Sequence, residues 1–416
     1  MDLAAEHEGK QGCNLGASLV ADLAGRIDGH IGRALDEALS RAPARDDPVV
    51  RLVYRSIYDY LANGGRRMHG GSVVLAYQAC AARRGRDVGA IDDIEDVLPV
   101  AAAFQLYHYH TLVHDDIYDE DDRRRGSATI HCAFADWFGA RDDGAPASHE
   151  RPTRLFRTTT GRRGAIVGFA QGKVVHALAL ECLMSAAAFP AAEVLAVARH
   201  LNLHDMDDNA GQVLDVAREH FGAGELSPDE ALQVAVMKTG RLFRVGAECA
   251  AALAGANPSR RAALGDWAEL VALAYQLKDD AEDLEPSSEK GAGRGTGSDL
   301  RMGKPTVLWA EALLRGEPRH VATLRACARG DVSPDRAAEV IVGSGSLRAC
   351  LDRIAQLVRE ADTALESADP AFAPGAIRRL RAFAGYFLSD DYWRRPLPPP
   401  RDPLSANPGS GTTYWP

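Results

Sequence analysis

Residues 112–126 read LVHDDIYDEDDRRRG. An apolar run ends in Asp115 and Asp116, passes through Asp119, and closes on Arg123, Arg124 and Arg125. Carboxylate oxygens grip hard divalent cations, and guanidinium forks match phosphate, so the composition is that of a metal-assisted phosphate site. The Asp-Asp-x-x-Asp pattern recurs at Asp92/Asp93/Asp96 and at Asp279/Asp280/Asp283. On a helix this spacing puts the first and last carboxylates on one face, with the middle one beside them. One such triplet in an acidic chain has the composition of any solvated helix end. Context separates the three. Asp92, Asp93 and Asp96 precede a long apolar run, so they belong to a helix first turn, where the macrodipole favours them without a ligand. The other two triplets follow apolar runs, "LVHDD" and "AYQLKDD", and fall toward helix C-terminal ends, where the dipole disfavours negative charge. Something else must stabilise them. Two such clusters on one cleft would hold Mg²⁺, which bridges carboxylates to substrate phosphates.

The elements that carry these acids read as helices. Ala, Leu, Val and Arg dominate, and β-branched alternation is nearly absent. Stretch 18–39 has apolar residues at helical spacing, while 97–113 and 267–277 are apolar almost all round, as central helices of a bundle are. The expected fold is all-α, a single large helical bundle over 18–392, behind a flexible N-terminus at 1–17. Gly, Pro, Thr and charge mark 140–163 as a long surface loop, and 285–305 as a Gly/Ser/Lys loop. The Pro-rich segment 393–416 is expected to be disordered. A hydrophobic fraction of 46% with 25% charged residues is that of a globular protein. The net charge of -10 attracts neither nucleic acid nor anionic membrane. Seven scattered cysteines without a C-x-x-C pair fit reduced thiols. The polar N-terminus lacks the core of a signal peptide, and no long uninterrupted apolar run reads as a membrane span, so a cytoplasmic location is expected.

Five ordered motifs give the chain a specific resemblance. Asp115 to Gly126 is D-D-x-x-D followed by R-R-G, and Gln276, Asp279, Asp280 and Asp283 form Q-x-x-D-D-x-x-D. Between them stand "GQVLD" at 211–215 and Lys238-Thr239, and "DLRMGKPT", with Lys304, follows. In these motifs the chain resembles the trans-isoprenyl diphosphate synthases, the polyprenyl synthetase family, from about residue 60 to about 310. The resemblance implies an isoprenoid-synthase bundle with a central active-site cavity. It implies that an allylic diphosphate is chelated through three Mg²⁺ between the two aspartate motifs and ionises with loss of pyrophosphate. The double bond of isopentenyl diphosphate then attacks the allylic cation, and proton loss completes a chain longer by one C5 unit. Arg124, Lys238 and Lys304 would assist the allylic diphosphate, with Thr239 and Gln276 near the cation. The isopentenyl diphosphate would be held by the Gly-Gly turn "GGRRMH" with Arg66, Arg67 and His69, together with His108 and Arg125. The family is usually dimeric, so a homodimer is expected.

Departures from the pattern concern the isopentenyl half. Arg66 replaces Lys, His69 replaces Arg, Gly70 replaces Pro, and Gly172-Lys173 stands where Gly-Asp is usual. These changes keep a second reading open: a terpene cyclase of the same scaffold, which ionises an allylic diphosphate without isopentenyl diphosphate. Surviving arginines at 124 and 125 and the Asp-rich second motif argue for the prenyltransferase. Six intact aspartates argue against a non-catalytic partner subunit. Product length should be set one and two turns before Asp115, by Tyr107, His110 and Thr111. A turn advances about 5.4 Å, close to one isoprene unit, and the bulk of Tyr107 and His110 should stop growth at C15 to C20.

Overall fold

The computed structural model describes residues 3–81, 94–141, 156–221, 227–284, 297, 299, 300, 304 and 306–388. The described chain is helical except for one short hairpin. Contacts group it into two compact units. The N-terminal unit comprises Ala21–Val74 and Ala90–Ala198, and the C-terminal unit Met1–Val20, Leu75–Gly89 and Arg199–Pro416.

In the N-terminal unit, α1 (Leu3–Arg41) contributes its residues from 21 onward. There follow α2 (Pro48–Ala62), the start of α3 (Met68–Ala81), α4 (Leu98–Tyr118), α5 (Ile130–Gly139) and α6 (Thr159–Met184). Helix α6 packs along α4 and α5. Close packing needs small residues here: a Cβ on Gly172 would collide with the His114 imidazole, and one on Gly164 with the His131 carbonyl. Helix α6 is long and apolar enough to cross a membrane by length and composition, although its longest uninterrupted apolar runs are short. Between α4 and α5, β1 (Arg123–Arg124) pairs antiparallel with β2 (Ser127–Ala128). Arg125 and Gly126 link them with φ of 51° and 78°, the sign pattern of a type I′ hairpin turn.

The C-terminal unit takes the rest of α7 (Ala191–Phe221), then α8 (Pro228–Ala235), a π-helical turn (Val236–Gly240), α9 (Arg241–Leu253) and α10 (Pro258–Glu282). It continues with α11 (Val307–Arg315), α12 (Pro318–Ala328), α13 (Pro334–Gly343), α14 (Ser346–Glu366) and α15 (Pro374–Phe387). Helix α10 packs against α9 on one side and α14 on another. Trp267 of α10 and Phe383 of α15 lie 6.4 Å apart in its core, and Phe383 meets Phe387 edge-on at 4.9 Å. Large aromatic areas withdrawn from water anchor α10, and with it whatever its C-terminal end carries.

Three boundaries differ from the sequence expectation. Residues 3–17, expected to be flexible, belong to α1; the Ala, Glu, Lys and Gln there are good helix formers. Residues 159–163, expected in the long loop, form the first turn of α6, because the Thr158 side chain caps it by accepting from the Gly161 amide at 3.0 Å. The hairpin at 123–128 was not expected in an all-helical reading. The remainder of that loop at 142–155, most of 285–305, the tail 393–416, and Asp92 and Asp93 lie outside the described residues.

Candidate active site

Asp115 and Asp116 lie in the last turn of α4 and Asp119 is its C-cap, while Asp279 and Asp280 end α10 with Asp283 as C-cap. Both triplets therefore sit at the carbonyl ends of helices, where the macrodipole opposes them.

In the N-terminal unit the hairpin turns Arg124 back onto α4. Its Nε lies 2.6 Å from Asp116 Oδ1, and the Tyr60 hydroxyl donates to Asp116 Oδ2 at 3.4 Å. Burial works against the charge of Arg124, but the neighbouring Tyr60 and Asp116 outweigh it and raise its pKa. Asp116, expected as a metal ligand, is held in place by Arg124, and Asp115 and Asp119 complete the triplet at the same helix end. Arg125 donates to the Gly64 carbonyl at 2.8 Å, which joins the R-R-G and Gly-Gly motifs. Gly65 has φ 102°, and a Cβ there would lie 2.6 Å from Arg125 Nη1 and 2.8 Å from Arg67 Nη1. Only glycine fits that turn.

Arg67 has a role other than the expected one. Its Nε and Nη2 donate to Asp28 at 2.6 and 2.9 Å, its Nη1 to the Gly64 and Gly65 carbonyls, and its Nη2 also to Leu61. A guanidinium has five N–H donors, and all five are spent on the protein. Arg67 therefore braces the turn that presents Arg66, and is not available to a diphosphate. His69 and His108 stack with centroids 4.0 Å apart. Burial, reinforced by Arg125 and Arg124, lowers the His108 pKa to about 3, so its ring is neutral at physiological pH.

One and two turns back along α4, Tyr107 is fully buried and His110 nearly so, and Thr111 donates to the His108 carbonyl at 2.8 Å. Tyr107 meets His110 at 5.4 Å and His176 of α6 at 5.9 Å, and His110 meets His176 at 4.9 Å. His114 joins them at 4.7 Å from His110, its pKa lowered to about 4 by burial and then by His110. His176 was not singled out in the sequence; its only signal is the helical pairing of α6 with α4.

In the C-terminal unit Lys238 and Thr239 occupy the π-helical turn, a widened geometry found often at functional sites. Lys238 Nζ lies 2.5 Å from Asp215 Oδ2, so "GQVLD" meets the Lys-Thr motif. The Thr239 hydroxyl donates to Gln276 Oε1 at 3.1 Å, and Gln276 Nε2 donates to Asp280 Oδ1 at 2.9 Å. Asp283 Oδ2 accepts from the Asp299 amide at 3.0 Å, and Asp299 lies 3.7 Å from Lys304 Nζ. Lys238, Thr239, Gln276, Asp280, Asp283 and Lys304 are each connected to another motif residue. Asp215 and Asp299 were visible only as letters inside motifs. Lys278, adjacent to the triplet in sequence, pairs instead with Glu282. The donor set fits a hard divalent cation: half-buried and buried carboxylates gathered at a helix end that disfavours them.

The polyprenyl synthetase model matches residues 51–342. The chain belongs to the polyprenyl synthetase family. A short chain isoprenyl diphosphate synthase of Methanocaldococcus jannaschii is 29% identical over 69% of this chain and 73% of its own. The octaprenyl diphosphate synthase of Escherichia coli is 26% identical over 66% of this chain and 71% of its own. Among solved structures, geranylgeranyl pyrophosphate synthase from Corynebacterium glutamicum, complexed with isoprenyl diphosphate and magnesium, has a TM-score of 0.74 at 23% identity. That alignment covers 88% of this chain and 98% of that one, and shows that the two share a fold.

Proposed function

We propose that this chain, a prenyltransferase of the polyprenyl synthetase family, condenses an allylic diphosphate with isopentenyl diphosphate to a C15–C20 product, with geranylgeranyl diphosphate favoured. The observation that carries the reading is the placement of both aspartate triplets at helix C-terminal ends, each with cationic side chains held close by. Asp115, Asp116, Asp119, Asp279, Asp280 and Asp283 would hold Mg²⁺, in the three-ion arrangement the resemblance implies. Bound there, the metal supplies positive charge against the departing pyrophosphate.

The remaining work falls to the chain's own groups. Lys238 and Lys304, each oriented by a carboxylate, and Arg124 on Asp116 neutralise the pyrophosphate as the allylic C–O bond breaks and its electron pair leaves with oxygen. The Thr239–Gln276–Asp280 chain presents oxygen dipoles near the cation. Arg66 and Arg125 orient isopentenyl diphosphate, whose π electrons form the new C–C bond before a proton is lost. Tyr107, His110 and His176 would cap the hydrocarbon and stop its growth at C15 to C20.

A homodimer is supported by α7. Leu203, Met206 and Val213 are 46%, 64% and 70% exposed, and with Ala210 they follow a three-four spacing that seams two helices. A cytoplasmic location is supported by Cys80, Cys132, Cys182, Cys249, Cys327 and Cys350, which are thiols and not disulfides.

One incubation series tests the function. Geranyl, farnesyl and geranylgeranyl diphosphates are supplied with Mg²⁺, with and without isopentenyl diphosphate, and both diphosphates and volatile terpenes are analysed. Elongated diphosphate formed only with isopentenyl diphosphate is expected. Cyclic hydrocarbon or alcohol formed without it, and no elongation with it, would establish a cyclase instead.

A further inference from the structure

The C-terminal unit has a cleft of about 760 Å³ between α8, α11 and the start of α14. No residue of the proposed active site lines it. Arg315, Arg348, Arg353 and Arg359 do, against three carboxylates, so the cleft is net positive in a chain of net charge -10. Arg315 is held by Glu311 at 2.6 Å, whereas Arg353 approaches Glu360 only to 4.0 Å. Leu232 and Val307 supply apolar wall from α8 and α11. A cleft of this size suits a small molecule, and guanidinium forks can bind a phosphate bidentately.

The three walls are each tied to the machinery above. Helix α8 runs directly into the π-helical turn that bears Lys238 and Thr239. Helix α11 begins three residues after Lys304, with Thr306 as its cap. Helix α14 packs along α10, where the Cys350 thiol meets the Leu277 carbonyl at 3.8 Å, two residues before Asp279.

We propose that this cleft is a second ligand site, for a phosphate ester with an apolar chain, and that its occupancy lowers turnover through α8, α11 and α14. The coupling, though not the binding, rests on the prenyltransferase reading. Isothermal titration of geranyl monophosphate into the full chain in EDTA tests the binding, because the metal-dependent site is then disabled. Arg348→Glu/Arg353→Glu should weaken binding about tenfold or more, since two charge-assisted contacts are reversed, and Asp115→Ala should leave it unchanged. Arg348→Gln/Arg353→Gln, with thermal melting of each variant, separates lost binding from lost folding. Inorganic phosphate and adenosine monophosphate should bind more weakly than geranyl monophosphate. Binding retained in both arginine variants, or lost in Asp115→Ala, would overturn the site. Adenosine monophosphate binding as tightly would overturn the apolar-chain assignment. With saturating substrates and Mg²⁺, geranyl monophosphate should lower turnover of the wild type and not of Arg348→Gln/Arg353→Gln. An equal response in the two would overturn the coupling.

Discussion

Replacing His69 with arginine restores the one permanent cation that this chain lacks relative to its family's isopentenyl motif. The cationic side chains near the Gly64–Gly65 turn are fewer than the sequence implies. Arg67 spends its donors on Asp28 and three carbonyls, and burial keeps His108 neutral. On the proposed reading, Arg66 and Arg125 carry the diphosphate. A charge-assisted hydrogen bond contributes about 1.5–3 kcal/mol, which corresponds to roughly ten- to a hundredfold in affinity. His69→Arg should lower the KM for isopentenyl diphosphate by about that factor and leave the allylic KM unchanged, because the added charge lies on the isopentenyl side. The larger side chain enters a buried position stacked on His108, and overpacking of this kind costs about 1–3 kcal/mol of stability. A lower Tm is therefore expected together with the lower KM. The assay is steady-state condensation at pH 7, varying each substrate at saturation of the other, with a circular dichroism melt of the same preparation. An unchanged KM for isopentenyl diphosphate in a folded variant, or equal shifts in both KM values, would refute the reasoning.

Asp115→Ala and Asp279→Ala should each lower turnover by orders of magnitude, and EDTA should abolish wild-type turnover until Mg²⁺ is restored; Asp92→Ala should be nearly neutral, and equal losses at Asp92 and Asp115 would show the wrong triplet was chosen. His110→Ala and Tyr107→Ala should lengthen the product, read by chromatography of the dephosphorylated alcohols, and an unchanged length in the double variant would rule out the floor. Gly65→Ala should raise the KM for isopentenyl diphosphate and lower Tm, because φ of 102° costs a side chain about 1–3 kcal/mol and the new Cβ displaces Arg125. Burial lowers the pKa of His204 from 6.5 to about 4, so below about 6.5 the unfolded chain binds the proton that the folded chain refuses. Stability should therefore decrease as pH is lowered across that window, by up to about 1.4 kcal/mol per pH unit from this residue, and His204→Gln should flatten the slope in thermal melts between pH 5 and 7.

Helical class, the positions of both aspartate triplets at helix ends, and the family were determined by the sequence alone, because each is written locally. Apolar periodicity over about three turns reports a helix without reference to the rest of the chain. A carboxylate that follows an apolar run must lie toward a C-terminus whatever packs around it. The tertiary structure decided how the cations divide their work. Arg67 and Arg66 are adjacent letters, yet Asp28, 39 positions earlier on α1, claims one of them for the scaffold. Arg124 is drawn to Asp116 because a hairpin with two positive-φ residues folds it back, and neither partner's local pattern announces that pairing. The proposed floor beneath the chain draws His176 from α6, across a packing that glycines at 164 and 172 permit. Charge type is a property of a residue, whereas donor availability is a property of its neighbours, and those neighbours come from distant parts of the chain.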